Sequence, residues 1–292
     1  MRAACIDIGS NTTRLLVAER VADCLQEIHQ ERAFTRIGRN LPPGAAIPGE
    51  KIQEVVAVVC AQLLIARELG VAQVRGVATA AIRWAANGDE LVAAIRAATG
   101  LEVDVLSGED EARLAFCGAA AMLDDAPTPP APLGVLDVGG GSSEMVVGTV
   151  PADIRWWASI QLGSSTLTDR CLHSDPPSAA QLAAARREVD AALHALAPPQ
   201  PALTVAVGGS ATSLARMAGA ILDASSLLRS LRVLASEPSA VVARRSQIDP
   251  ERARLLPAGL LILEGMAQRL GTTIVVGRGG IREGVLLEAM SQ

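Results

Sequence analysis

Aromatic side chains are nearly absent from this chain of 292 residues, which contains no tyrosine, two phenylalanines and three tryptophans. Half of the residues are hydrophobic, so the core must be built from alanine, valine, leucine and isoleucine. This composition favours an α/β fold, because buried strands in such folds are rich in valine and isoleucine. The length of the chain suggests two domains.

The chain also has no excess of positive charge. The formal net charge is −5 and the sequence pI is about 5.3, so a general electrostatic attraction to nucleic acid is not supported. Lys51 is the only lysine, and arginine supplies the other basic residues. Arginine is the better bidentate phosphate ligand, but a polyanionic substrate would need a local cluster of it.

Cysteine and histidine show no metal-binding spacing. The five cysteines are widely spread and odd in number, which predicts reduced thiols. Asp7 interrupts any apolar leader after Met1, so no signal peptide is predicted. No stretch approaches the roughly 18 apolar residues of a membrane span. These absences predict a soluble, cytoplasmic protein with no membrane partner.

Glycine is concentrated in residues 136–144, which read Leu-Asp-Val-Gly-Gly-Gly-Ser-Ser-Glu. Apolar runs on both sides predict a β-hairpin with a glycine loop. Without side chains, successive backbone N–H groups can converge on phosphate oxygens. Asp137 and Glu144 flank the loop and can face the same cavity across the hairpin. Carboxylates beside a phosphate-binding loop suit Mg²⁺.

The same pattern occurs at the N-terminus. Residues 6–17 align without a gap on residues 136–147, which places Asp7 on Asp137. Two unrelated glycine turns would also explain a short match, but the ungapped pair favours a duplicated domain. Two such loops that face each other across a cleft could hold a phosphate chain from both sides.

Proline marks the boundary between the two copies. Four of the six residues from 127 to 132 are prolines, which excludes a helix or a central strand. We therefore predict an N-terminal domain over residues 1–124, a linker over 125–132 and a C-terminal domain over 133–292. The last helix is free to pack back on the first domain.

Three further segments contain residues that could contribute to the same phosphate-binding site. A short strand over 74–78 leads to Arg83, which is either an anion-binding residue or an exposed loop arginine. Three carboxylates, residues 109–111, begin a helix; they could complement its dipole, or one could be a general base, and their chemistry does not rank them. Residues 208–210, Gly-Gly-Ser, follow a buried strand and open a helix, which is an anion-binding arrangement.

Hydrophobic periodicity and breaker residues predict the remaining elements. The predicted strands are 3–9, 13–19, 24–34, 74–78, 101–106, 154–161, 204–207 and 274–276. The predicted helices are 49–69, 87–99, 107–122, 178–196, 258–270 and 281–291, and residues 223–247 are predicted to be helical.

Taken together, these motifs resemble the exopolyphosphatase / guanosine pentaphosphate phosphohydrolase family. The resemblance implies a duplicated actin-like α/β fold of the ribonuclease H class, with a cleft between the domains. The matching segments occur in family order and cover nearly the whole chain: residues 7–12, 78–83, 107–114, 137–144, 162–163, 207–210, 256–259 and 282–284.

The resemblance also implies roles. Glu111 would activate water, and Asp137 and Glu144 would hold Mg²⁺, which a monovalent cation could assist. Phosphate would be bound by Ser10, Asn11, Thr12, Arg83, Gly139, Gly140, Gly141, Ser142, Gly208, Gly209 and Ser210. The sequence departs from the family pattern after Gly38, where residues 39–43 replace the common Gly-Glu-Gly, and at residues 254–256 and 276–280.

The expected substrate is inorganic polyphosphate, hydrolysed at its terminal phosphate by a homodimer. The alternative substrate is guanosine pentaphosphate, which the scarcity of aromatic side chains disfavours. From another class, a non-hydrolytic polyphosphate or nucleotide sensor, or a kinase on the same fold, is the alternative. Retention of Glu111, Asp137 and Glu144 together argues against a sensor.

Overall fold

The computed structural model describes residues 2–21, 24–123 and 131–291. The strands are β1 (Arg2–Ile8), β2 (Thr13–Val21), β3 (Cys24–Ala33), β4 (Gln73–Ala78), β5 (Val103–Val105), β6 (Leu133–Val138), β7 (Ser143–Thr149), β8 (Asp153–Ile160), β9 (Leu203–Val207), β10 (Ile221–Leu222) and β11 (Ile274–Val276). The helices are α1 (Gly49–Glu68), α2 (Ala80–Arg83), α3 (Gly88–Thr99), α4 (Gly108–Ala121), α5 (Ser164–Cys171), α6 (Ala179–Leu193), α7 (Gly208–Ala218), α8 (Ala224–Ser236), α9 (Ser239–Ser246), α10 (Pro250–Leu270) and α11 (Ile281–Ala289).

The strands form two sheets of matching topology. The N-terminal sheet has the order β3-β2-β1-β4-β5, and the C-terminal sheet has the order β10-β11-β9-β6-β7-β8. In the N-terminal sheet β1, β2 and β3 are antiparallel to their neighbours, and β4 and β5 run parallel to β1. In the C-terminal sheet β6, β7 and β8 are antiparallel in the same way, and β9 and β11 run parallel to β6. The C-terminal sheet has one further edge strand, β10, which is antiparallel to β11. The duplication seen in the hairpin sequences therefore extends to five strands of each sheet. The predicted duplicated α/β fold is confirmed.

Two helices lie between the sheets, and each packs on the sheet of the other half. Helix α4 buries Phe116 among the strands of the C-terminal sheet. Helix α11 buries Leu286 against β1 and β2 of the N-terminal sheet. The predicted linker lies mostly outside the described residues, at 125–130. The exact domain boundaries stay a prediction.

Glycines allow α4 and α11 to touch backbone to backbone. A Cβ atom built on Gly118 would lie against the carbonyl oxygen of Gly280, and one built on Gly284 would lie against the carbonyl oxygen of Leu114. Since a backbone atom cannot rotate away as a side chain can, this contact requires glycine on α4. The contact matters for function because residues on both helices approach the site described below.

Gly118→Ala should lower the free energy of unfolding by about 1–3 kcal/mol, because the added methyl group overpacks the interface. Urea denaturation of the two proteins measures this difference. Gly49→Ala is the matched control, since a Cβ at that position meets no atom within 4 Å. Equal stabilities for the Gly118 variant and the control would contradict the packing argument.

Several elements differ from the predicted ones. Helix α10 begins at Pro250 instead of residue 258, and Pro257 lies inside it. The sequence carries a start signal there, because the Asp249 side chain accepts a hydrogen bond from the Glu251 N–H at 2.9 Å and Pro250 occupies the first turn. The short helices α2 and α5 were not predicted, since neither is long enough to show a period.

The helical region predicted over 223–247 is divided into α8 and α9, which are separated by Glu237 and Pro238. Proline has no N–H to donate, so it favours a break between two helices. In the parts of the chain that the structure describes, every helix is too short or too polar to cross a membrane.

Candidate active site

The two glycine hairpins close their loops in the same way. In the first, the Gly9 N–H donates to the carbonyl oxygen of Thr12 at 2.9 Å; in the second, the Gly139 N–H donates to the carbonyl oxygen of Ser142 at 3.0 Å. The sequence alignment places these pairs on each other. Each bond draws its loop into a tight turn, so the aligned residues have equivalent conformations as well as equivalent positions.

The loops of the two halves lie against each other. A Cβ atom added to Gly140 would lie 3.2 Å from that of Asn11, and one added to Gly141 would lie 3.2 Å from that of Ser10. Larger residues at 140 and 141 would push the loops apart. Besides allowing tight turns, Gly140 and Gly141 therefore allow the loop of the other half to approach closely.

A cavity of about 110 Å³ lies where the loops meet, and both Asp7 and Asp137 line it. The two halves thus contribute equivalent carboxylates to one space. The cavity wall includes most of the residues singled out in the sequence: Ser10, Asn11, Thr12, Glu111, Asp137, Gly139, Gly140, Gly141, Ser142, Glu144, Gly208 and Gly209.

The structure distinguishes the three carboxylates that begin α4. Glu109 is exposed. Asp110 forms a capping box with Ser107, whose hydroxyl oxygen accepts the Asp110 N–H at 3.1 Å. Glu111 is only 2% exposed and lines the cavity. Of the three, only Glu111 is placed to act on a bound molecule.

Glu111 lies in an environment suited to proton transfer. Burial raises its pKa to about 7, although the neighbouring Arg83 guanidinium opposes the shift. Arg83 donates to Glu111 and, at 2.5 Å, to the carbonyl oxygen of Leu106. The Ser142 hydroxyl lies 3.4 Å from the other carboxylate oxygen. A base with a pKa near neutrality is efficient at physiological pH.

Asp137 and Glu144 are direct cross-strand partners on β6 and β7. Burial raises the pKa of Asp137 to about 6, and Arg14 opposes the shift. Burial, with the negative charges of Glu111 and Asp137, raises the pKa of Glu144 well above its ordinary value. The Ser159 hydroxyl donates to Glu144 at 2.9 Å. Such crowded carboxylates would be stabilised by a cation.

The carboxylates of the cavity fit Mg²⁺ if phosphate oxygens and water complete its coordination. Within residues 2–21, 24–123 and 131–291, no three acidic, histidine or cysteine side chains group closely enough to hold a metal by themselves. Mg²⁺, however, is commonly held by one or two carboxylates and completed by water and substrate phosphates. Oδ1 of Asp7 is buried without a hydrogen-bond partner, so an acceptor remains open on the opposite hairpin. The carboxylates therefore fit a metal that is shared with a phosphate.

Comparison with known proteins decides the family. The model of the Ppx/GppA phosphatase family matches residues 16–292. The chain belongs to this family. It is 30% identical to exopolyphosphatase 2 of Mycobacterium tuberculosis, over 92% of this chain and 91% of that one. It is 28% identical to the guanosine-5'-triphosphate,3'-diphosphate pyrophosphatase of Photobacterium profundum, over 99% of this chain and 59% of the other.

Solved structures give the same result. The Ppx/GppA family member from Aquifex aeolicus superposes with a TM-score of 0.83 at 28% identity, covering 100% of this chain and 98% of its own. An exopolyphosphatase from Cytophaga hutchinsonii superposes with a TM-score of 0.87 at 23% identity, covering 100% and 98%. The second likeness shows the fold alone.

Three arginines of this phosphatase line the cavity and were missed in the sequence: Arg14, Arg252 and Arg282. Burial and the other nearby arginines lower the pKa of Arg14 to about 10 and that of Arg252 to about 9. Nε of Arg252 is buried without a partner, and its guanidinium lies against Gly209 at the start of α7. Crowded, partly unpartnered cations at a helix N-terminus form a site for an anion.

The sequence contained a signal for Arg14, because the alignment of the two repeats gives Arg14 the position that Glu144 has in the second copy. Arg252 lies in the part of α10 that the periodicity missed. Arg282 lies in the matching segment 282–284, but no role was assigned to it. Their convergence depends on tertiary folding, which the sequence pattern does not show.

Two predicted phosphate ligands lie elsewhere. Arg83 is held by Glu111 and is not on the cavity wall. The Ser210 hydroxyl donates to the carbonyl oxygen of Val138 at 3.2 Å, which fixes the end of β6 to α7. The roles assigned to these two residues, like those of the rest of the site, stay predictions.

The pKa of Glu111 predicts a pH dependence for kcat/KM. A general base works only when ionised, so the rate should fall about tenfold per pH unit as the pH drops below about 7. The physical reason is burial, which raises the pKa and moves protonation of Glu111 close to neutral pH. A pH profile of phosphate release measures this. A profile that is flat from pH 5 to 8 would contradict the assignment.

Proposed function

We propose that this phosphatase hydrolyses the terminal phosphoanhydride bond of linear inorganic polyphosphate, with Mg²⁺ as its cofactor. The observation that carries the proposal is the convergence on one cavity of a buried carboxylate on α4, two glycine loops and three arginines. The exopolyphosphatases among its relatives support the same substrate. Assembly as a homodimer and the use of a monovalent cation stay predictions of the family resemblance.

Binding would depend on the opposed loops and the arginines. Phosphoryl transfer requires positioning and charge stabilisation more than covalent chemistry. Backbone N–H groups of residues 10–12 and 140–142 would contact the terminal phosphate, and Arg14 and Arg252 would neutralise its charge. The N-terminus of α7 at Gly208 adds a favourable partial charge.

Hydrolysis would depend on Glu111, which accepts a proton from the attacking water. Arg83 keeps the Glu111 carboxylate oriented and favours its ionised form. Asp137 and Glu144 would hold Mg²⁺, and the metal when bound would neutralise charge on the transferred phosphoryl group. Ser159 orients Glu144 through its hydrogen bond.

A colorimetric assay of phosphate release from long-chain polyphosphate, with Mg²⁺ present, tests this proposal. We expect steady release by the wild-type chain. No release from polyphosphate, together with release from guanosine pentaphosphate, would replace the proposal with the second candidate below.

One observation favours guanosine pentaphosphate as the second candidate. A chamber of about 360 Å³ opens beside Gly140 and Gly141, and its wall includes Leu41, the two prolines at 42 and 43, and Trp84. Pockets that are largely apolar and carry a few polar groups are typical of organic ligands. The scarcity of aromatic side chains disfavoured stacking on a guanine base, but one of the five, Trp84, lines this chamber. The same assay, run with both substrates, distinguishes the two candidates.

A further inference from the structure

A second chamber, which we call the basic chamber, also adjoins the cavity, and it shares Asn40, Ser165 and Asp169 with the wall of the apolar chamber. The basic chamber has a volume of about 350 Å³, and Asn11 lines both it and the cavity. Arg36, Arg39, Arg254 and His173 contribute basic side chains to its wall. Because Asn11 belongs to the first glycine loop, a molecule bound at that loop can extend into this chamber.

Two of these cations remain available to an anion. Arg36 is paired with Glu251 at 3.0 Å. Arg254 uses one guanidinium nitrogen to donate to the carbonyl oxygen of Leu172 at 2.5 Å, which leaves its other nitrogens. Arg39 is exposed, and within the described ranges its side chain has no ion pair.

The acidic residues in the wall are themselves engaged. Glu251 is bound by Arg36, and the Asp169 carboxylate accepts the Asn40 N–H at 3.3 Å. Their repulsion of an incoming anion is therefore partly offset, and the free charge of the chamber is positive.

The floor of the chamber carries polar groups that lack partners. Nδ2 of Asn11, Oγ of Ser165 and Oγ1 of Thr168 are buried and form no hydrogen bond within the protein. Ser165 is 8% exposed and Thr168 is 6% exposed. Buried polar groups are nearly always hydrogen-bonded, so three unpartnered donors on one wall indicate a ligand with acceptor oxygens.

We infer that the basic chamber binds the phosphates of the chain that lie beyond the scissile bond. The inference rests on the proposed function. The terminal phosphate occupies the cavity between the loops, the chain passes Asn11, and the following phosphates meet Ser165, Thr168, Arg39 and Arg254. The chamber therefore makes the enzyme prefer chains longer than pyrophosphate.

Arg39 and Arg254 supply the positive charge of this chamber that is available to a ligand. Arginine forms bidentate, charge-assisted hydrogen bonds with phosphate, so its presence at both positions strengthens the contact with a polyanion. We expect chain-length preference to follow these two residues.

Binding measurements by titration calorimetry test the inference, in the presence of Mg²⁺ and on a Glu111→Gln background, so that substrate is not consumed. The ligands are pyrophosphate and tetrapolyphosphate. Arg254→Met should lower tetrapolyphosphate affinity about tenfold and change pyrophosphate affinity less than about twofold. Thr168→Val should lower tetrapolyphosphate affinity about fivefold, because valine has a similar volume to threonine but lacks the hydroxyl donor.

Two controls make the result specific. Arg187→Met removes an exposed arginine of α6 and should leave both affinities unchanged, which accounts for any general effect of net charge. Thr168→Val removes a hydroxyl that has no partner in the protein, so it should not lower the melting temperature. It therefore keeps the test valid if Arg254→Met loosens α5.

Unchanged ratios of the two affinities in both chamber variants would overturn the inference, as would an equal loss in the Arg187 variant. A loss of guanosine pentaphosphate affinity alone, with tetrapolyphosphate unaffected, would also overturn it. The proposed function fails separately: the wild-type chain would then release no phosphate from polyphosphate, whatever the binding ratios are. Selective loss of tetrapolyphosphate affinity supports the chamber.

Discussion

Replacing Glu111 with glutamine should lower kcat for phosphate release by about 10²–10⁴-fold, the usual contribution of a general base. Glutamine keeps the size of the side chain and can still contact Arg83 and Ser142, but it cannot accept the proton of the attacking water. Since the carboxylate acts in the transition state, the loss should fall on kcat, and KM should change little. Steady-state kinetics with polyphosphate measures both constants.

Glu109→Gln is the matched control, because Glu109 lies in the same first turn of α4 but is exposed. It should retain full activity. If both variants retained activity, another group would have to activate the water. If both lost it equally, the effect would come from the charge at the start of the helix.

Asp137→Asn should lower activity at saturating substrate about 100-fold or more, and should raise the Mg²⁺ concentration needed for half-maximal rate. The reason is chemical: an amide oxygen is a neutral and weaker ligand for a hard cation than a carboxylate. Burial raises the pKa of Asp137 to about 6, so a proton competes with the metal as the pH falls. In the wild type, the Mg²⁺ requirement should therefore rise below about pH 6.

Asp104→Asn provides the comparison, since Asp104 is exposed on β5 of the other sheet. It should show wild-type dependence on Mg²⁺. A normal Mg²⁺ titration in the Asp137 variant would refute the metal assignment. Circular dichroism of the variants separates a lost metal from a lost fold.

Much of the architecture could be predicted because local pattern and tertiary role agree in the hairpins. The apolar runs around Asp7 and Asp137 determine strand pairing, and the ungapped match between them indicates the duplication before any fold is known. The structure extends this agreement to five strands of each sheet, and the C-terminal sheet adds a sixth strand at one edge. The extent of α1 followed from the spacing of its apolar residues, and its end followed from Gly70.

Tertiary packing determines the parts that could not be predicted. The family resemblance selected Glu111, but the chemistry of Glu109, Asp110 and Glu111 did not rank them. The choice depends on which face of α4 meets the cavity, and α4 packs on a sheet that follows it in the sequence. Arg252 lies in the part of α10 before Pro257, where the periodicity predicted no helix. Its approach to Gly209 joins elements that are far apart in the chain.

The opposite polarities of the site suggest how it works as one unit. Glu111, Asp137 and Glu144 bring negative charge to the cavity wall, and Arg14, Arg252 and Arg282 bring positive charge to it. Burial shifts the pKa values of the three carboxylates upward and those of Arg14 and Arg252 downward, in each case toward the neutral form, and neighbours of like charge add to these shifts. A phosphate with a bound cation would relieve both repulsions, so the electrostatics of the site favour binding of such a substrate.

Hydrolysis of polyphosphate in water enriched in the heavy oxygen isotope shows whether water is the nucleophile that attacks the terminal phosphorus. If water activated by Glu111 attacks the terminal phosphorus, mass spectrometry should find a single heavy oxygen in each orthophosphate released, with no shorter internal fragments. Transfer of phosphate to an acceptor without heavy oxygen, or release of internal fragments before orthophosphate, would contradict the account.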